Sequence, residues 1–304
     1  MSTRLYDVTH ITTYTYPEQV TSSYGRGYLT PLELPEQRLL DHTVTVAPEP
    51  SDRSFMKDVY GNTGFYFHVT SGHTELVVTG RSRVEVDAPA ADHLTIGPAG
   101  APWELSRPVG KAAARAVEFR LDNDPPEIGE LVSEYAAETF TPGRPLGDAV
   151  WDLTHRIYTD FTYHSGSTTV STRVAEVMNR RAGVCQDFAR VAIACLRSQG
   201  LAASYVSGYL ATTPPPGKER MVGADATHAW AAVWLPGGTW LAFDPTNDQF
   251  ADERYVTVAR GRDFVDVSPL RGIIYTRAKT SSMSVSVDVA PTANEETVPI
   301  ASVP

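Results

Sequence analysis

The chain has 304 residues and a formal net charge of −10. That length suits one large domain or two ordinary ones, and the acidic balance argues against a nucleic-acid-binding protein, which would present a basic surface. The two cysteines, Cys185 and Cys195, exclude a disulfide scaffold: ten residues apart on one predicted helix, they stand about 15 Å from each other, too far to bridge. Free thiols suit a reducing compartment. The N-terminus carries no apolar signal core and no apolar run reaches the length of a membrane span, so a cytoplasmic protein with no membrane partner is expected.

Residues 1–100 read as a β-rich unit, a sandwich or small barrel. Tyr6, Val8, His10, Thr12, Tyr14 and Tyr16 alternate along the first strand, and further strands are expected at 42–47, 65–70 and 75–87. Gly61-Asn62 and Ser71-Gly72 mark turns. Pro, Ala and Gly accumulate over 88–110, and the connection to the next unit is set at residues 101–123. A core of residues 124–289 and a disordered tail of 290–304 complete the division.

Helical signals begin at Asp124-Pro125-Pro126-Glu127, which has the form of a capping box with proline at the first helical position. Ile128, Leu131, Val132 and Tyr135 follow at helical spacing until Pro142-Gly143. Further helices are expected over 147–158 and 172–181. A fourth starts at Cys185, with Phe188, Val191, Ala192, Cys195 and Leu196 on one face and Gly200 as its stop. Strands then follow at 203–210, 227–235, 239–243, 255–260 and 283–289. A proline-rich loop, 212–220, separates the first two; its Pro214 to Gly217 stretch invites a test as a lid.

Cys185, His228 and Asp244 supply a thiol, an imidazole and a carboxylate, the nucleophile, base and orienting group of thiol acyl transfer. A thiol in a first helical turn gains from the dipole and from the free N–H groups, which can also receive an oxyanion. Pairing Leu235 with Thr239 across Pro236-Gly237-Gly238 puts His228 diagonal to Asp244 on one hairpin face. Gln186, Tyr163 and Trp230 are candidate substrate or oxyanion contacts, though each has an ordinary structural role open to it: a first-turn polar residue for Gln186, core packing for the two aromatics. Asp187 reads as a first-turn acid favoured by the dipole. Cys195, on the apolar stripe, reads as a buried structural thiol. The remaining histidines are scattered, no His-x-x-x-His or Cys-x-x-Cys pair suggests a metal, and no cofactor is expected.

Five blocks, Phe161-Thr162-Tyr163, Gly183 to Phe188, Tyr205 to Tyr209, Asp225 to Trp230 and Phe243 to Asn247, resemble in order the transglutaminase-like core of bacterial proteins. Tyr6 to His10, Asp58 to Asn62 and His73 to Leu76 resemble the β-rich region that precedes it, and Gly261 to Gly272 resembles the stretch that follows. The resemblance implies an α+β fold: a papain-like or transglutaminase-like core, its cysteine helix packed on an antiparallel sheet, preceded by a β-rich domain. It implies a Cys185–His228–Asp244 triad acting on a peptide or protein substrate; no acidic cluster reads as a calcium site, so no calcium requirement is expected. Hydrolysis of an amide is the leading expectation. Transglutaminase-type transfer to an amine, and a non-catalytic binding module on the same fold, are the alternatives.

Overall fold

The computed structural model describes residues 2–90, 92–94, 97–212 and 227–292. The proline-rich loop 214–217 and the expected tail from residue 293 onward lie outside the described residues. Five strands open the chain: β1 (Thr3–Gly27), β2 (Gln37–Ala47), β3 (Asp52–Lys57), β4 (Thr63–Val69) and β5 (His73–Asp87). After a one-turn helix, α1 (Ala114–Val117), come α2 (Glu130–Thr139), α3 (Leu146–Asp160), β6 (Thr162–Tyr163), α4 (Val174–Arg180), β7 (Ala182–Gly183) and α5 (Cys185–Ser198). The chain continues through β8 (Ala203–Leu210), β9 (Thr227–Trp234), β10 (Trp240–Asp244), β11 (Gln249–Phe250) and β12 (Tyr255–Gly261), then β13 (Arg271–Thr276) and β14 (Ser282–Thr292).

The first sheet is antiparallel with the order β2-β5-β1-β4-β3. Its register along β1 shifts between Thr15 and Val20, around Pro17, which has no N–H to give the ladder. The edge strand β3, exposed throughout, has no apolar alternation and was not foreseen in the sequence. The strand expected over 283–289 was counted with the core, but β14 pairs with the first half of β1, and β13 with its second half. The reason is the open flank of a 25-residue strand. Val287 and Val289, both without exposed surface, bury against that flank.

The second sheet, order β11-β10-β9-β8-β12, is antiparallel and carries α5 on one face. One apolar cluster joins Phe188, Ala192 and Leu196 of α5 to Ala231, Val233 and Phe243 of this sheet and to Tyr6, Val84 and Val289 of the first. The helix expected from Asp124 starts instead at Glu130. The capping box does not form because Glu127 turns inward. Its carboxylate receives Arg190 at 2.9 Å, Arg173 at 3.0 Å and the Val174 N–H at 2.9 Å. Asp122, not Asp124, accepts from the N–H groups of Glu127 and Ile128.

β12 is an edge strand, and the first unit covers its open side with two amides. Gln37 donates to the Thr257 carbonyl at 2.8 Å and accepts from the Thr257 N–H at 2.7 Å. Asn62, fully buried, does the same to Arg260 at 2.7 and 2.8 Å. Each amide imitates a neighbouring strand, so the two sheets share hydrogen bonds as well as apolar surface. Asn62→Ala leaves a buried donor and acceptor unpaired. Urea unfolding is expected to register a loss of roughly 2–4 kcal/mol. An unchanged midpoint would contradict this account of the junction.

Candidate active site

Cys185 is the first residue of α5 and is half-buried. The turn is tied down by Asp187. Its Oδ2 accepts from the Val184 N–H at 2.8 Å and from the Thr168 hydroxyl at 2.6 Å. Thus Asp187, the expected first-turn acid, joins the start of α5 to the 164–172 loop. Gly183 permits this approach: a Cβ there would lie 2.8 Å from the Asp187 carboxylate. The first-turn N–H groups of Cys185 and Gln186 have no intrahelical acceptor, so they remain available to an anion beside the sulfur.

His228 is the second residue of β9 and pairs with Gly208 of β8. The β9–β10 hairpin has the expected register: Trp234 faces Trp240, Val233 faces Leu241 and Ala231 faces Phe243. That register puts Asp244, the last residue of β10, beside the imidazole, with His228 Nε2 at 2.6 Å from Asp244 Oδ2. Cys185 stands close enough to act on the same ring, and the two residues line one cleft.

Asp244 has no exposed surface. Besides His228, its Oδ2 accepts from Asn247 Nδ2 at 2.7 Å and from the Tyr255 hydroxyl at 2.7 Å, and Oδ1 accepts from the Thr246 N–H at 2.8 Å. Burial alone would push this carboxyl up. The bond to His228, the imidazolium charge, and the Asn247 and Tyr255 bonds reverse that and hold it below its ordinary value. Burial likewise pushes the His228 ring down. The bond to Asp244 and its charge, with the neighbouring Cys185, outweigh it and raise the ring to about 10. The arrangement favours imidazolium and carboxylate side by side.

A cleft of about 310 Å³ opens over these groups. Cys185 and His228 form its floor, with Tyr163, Leu210, Thr212, Thr246 and Asn247 around them. A wider hollow of about 570 Å³ lies between Glu18 and Arg277, but no cysteine or histidine lines it. The chemistry therefore sits at the smaller cleft.

The candidates from the sequence fall in different places. Tyr163, on β6, is 55% exposed and lines the cleft. Gln186 is half-buried in the first turn and is not part of the cleft wall. Trp230 is fully buried; it underlies His228 at 5.9 Å between ring centroids and does not reach the cleft. A side chain two residues along a strand shares the His228 face but stands deeper in the sheet. Cys195 is buried, and burial pushes its thiol up to about 12, which makes it inert. Among the described residues, no group of three or more His, Cys, Asp or Glu side chains could hold a metal ion, and no helix is long and apolar enough to cross a membrane.

Sequence reasoning missed the roles of Asn247 and Tyr255. Asn247 had a signal, since it sits three residues after Asp244 in the same turn. Tyr255 had none, because it reaches Asp244 of β10 from β12, with β8 and β9 between them.

Comparison with known proteins bears on the family and the fold. Residues 6–85 match the family described as the bacterial transglutaminase-like N-terminal region, and residues 133–245 match the transglutaminase-like superfamily. An uncharacterized protein of Mycobacterium tuberculosis is 58% identical over 293 residues, 95% of this chain and 93% of its own. One of Mycobacterium leprae is 30% identical over 282 residues, 90% of this chain and 94% of its own. The crystal structure of a proposed cysteine protease from Cytophaga hutchinsonii superimposes with a TM-score of 0.72 at 20% identity, covering 98% of this chain and 93% of that one. The fold is thus α+β with a transglutaminase-like core and a β-rich N-terminal region. The chain belongs to the transglutaminase-like superfamily.

The raised His228 ring makes stability depend on pH. Its folded value, about 10, lies above the unfolded value of about 6.5. The contribution is therefore fully present below pH ~6.5 and is lost as pH rises through ~10. Urea unfolding of the wild type and His228→Gln at pH 6, 8 and 10 is expected to give a difference that shrinks with pH. A difference independent of pH would contradict the assignment.

Proposed function

We propose that this protein is a cysteine-dependent hydrolase of peptide or other amide bonds. The observation that carries the reading is the line from buried Asp244 through His228 to Cys185 at a helix N-terminus, open to a cleft. In this scheme the Cys185 thiolate attacks the amide carbonyl carbon, and the carbonyl π pair moves to oxygen. The oxyanion is received by the first-turn N–H groups. His228 gives its proton to the leaving nitrogen as the C–N bond breaks, and a thioester remains on Cys185. His228 then takes a proton from water, whose oxygen attacks the thioester; the acid departs and the thiolate is restored. Asp244 keeps the imidazole oriented and stabilises its charged form.

Water is favoured over an amine as acceptor because the cleft is open at Tyr163, so solvent reaches the acyl group. The described cleft walls, Leu210, Thr212, Thr246 and Asn247, are neutral and suit an uncharged segment of polypeptide better than a charged side chain. A reducing, cytoplasmic setting keeps Cys185 free and is part of the same proposal.

The test is a screen of peptide pools by mass spectrometry, with and without a primary amine in excess. Cleaved or deamidated products, unchanged by the amine and reduced roughly a thousandfold or more in Cys185→Ala, are expected. Products carrying the amine would transfer the reading to transglutaminase-type chemistry. Turnover surviving in Cys185→Ala would end it.

A further inference from the structure

Asp244 is held from two directions. Thr246 and Asn247 belong to its own turn, and His228 to the partner strand of its hairpin. The fourth donor, the Tyr255 hydroxyl, arrives from β12, which β8 and β9 separate from β10. The path is open because Gly208 of β8 faces both His228 and Thr257 and carries no side chain. A Cβ at Gly208 would lie 2.6 Å from the Trp230 ring and 2.1 Å from the Val256 carbonyl.

The Tyr255 ring is locked. It is 3% exposed and meets Trp230 edge-on at 5.1 Å. Its oxygen accepts from Gln249 Nε2, and Gln249 Oε1 accepts in turn from Arg254 at 2.8 Å. With one lone pair engaged by Gln249, the phenolic hydrogen is aimed at Asp244 Oδ2.

We propose that Tyr255 is a positioning residue for the Cys185–His228–Asp244 machinery, its hydroxyl holding the Asp244 carboxylate charged and turned toward His228 Nε2. The inference rests on the functional reading of that site. A carboxylate stripped of water needs donors in its place, and charge-assisted bonds of this kind are among the stronger ones. Burial, then the Asp244 charge, keep the Tyr255 phenol protonated far above its usual range, so it remains a donor. The other charged groups nearby are accounted for. His228 faces Asp244 from β9 and Cys185 reaches His228 from α5. In the turn before β12, Asp252 and Arg254 pair with each other at 2.6 Å, and Asp248 pairs with His155 of α3 at 2.8 Å.

Loss of the hydroxyl raises the proton affinity of Asp244. Once protonated, Asp244 no longer supports the imidazolium, which in the proposed function is the partner that makes Cys185 reactive. The acid limb of Cys185 reactivity therefore moves to higher pH.

The experiment measures the pH dependence of Cys185 alkylation, located by mass spectrometry, in wild type, Tyr255→Phe, Gln249→Ala and Tyr209→Phe. Tyr209 is the control: it is another buried tyrosine, whose hydroxyl bonds to His10 at 2.9 Å and not to Asp244. Tyr255→Phe is expected to shift the acid limb up by roughly one pH unit. Gln249→Ala, which keeps the hydroxyl but lets it turn, shifts the limb the same way by less. Tyr209→Phe leaves it in place. A Tyr255→Phe profile that superimposes on the wild type, or an equal shift in Tyr209→Phe, overturns the proposal. If Tyr255→Phe does not fold, an unshifted Gln249→Ala overturns it. A wild type with no reactivity below the ordinary thiol range fails at the level of the site itself, which separates that failure from failure of Tyr255 alone.

Discussion

A carboxylate with no exposed surface stays charged only if hydrogen-bond donors replace the water it has lost. Asp244 meets that condition with four donors, and the rest of the site follows from it. Its charge raises and orients the His228 ring, which lines the same cleft as Cys185. The hairpin register, the turn at Asn247, the gap at Gly208 and the reach of Tyr255 all converge on this one group. The antiparallel sheet acts as a frame that brings donors from β9, the turn after β10, and β12 to a single point.

The nucleophile is positioned by a second, separate set of bonds. Asp187 fixes the start of α5. Further along, Arg190 bonds to Glu127 and pairs with Asp263, and Arg197 donates to the carbonyls of Phe119, Ala203 and Arg262. These buried cations tie the helix to segments on both sides of it in sequence, so α5 has little freedom to slide along the sheet. The first unit adds to that rigidity from a distance: Gln37 and Asn62 seal β12, the strand from which Tyr255 projects. The β-rich region is thus part of the scaffold that shapes the site.

Much of this was legible in the sequence because the relevant signals are local or nearly so. Cys185 at a helix start and the His228–Asp244 hairpin depend on a glycine break, a helical stripe and a two-strand register, each contained in a short window. The limits were equally physical. The sequence around Asp124 has every mark of a helix start, yet Glu127 is drawn into a buried cluster with Arg173 and Arg190, partners 46 and 63 residues away. Trp230 alternates correctly with His228, but alternation fixes the face and not the depth. β13 and β14 join a strand at the opposite end of the chain, a pairing no local pattern encodes. Tyr255 reaches Asp244 only because of what lies, and what is missing, on the two intervening strands.

The claim at the centre of this account is that Cys185 and His228 form a thiolate–imidazolium pair in the resting protein. The most direct measurement is the rate of alkylation at Cys185 against pH, in the wild type and in His228→Ala. The account predicts rapid labelling that persists well below pH 7 and disappears in the variant. Labelling that rises only near the ordinary thiol value of about 8.5, and is the same in both proteins, would contradict it.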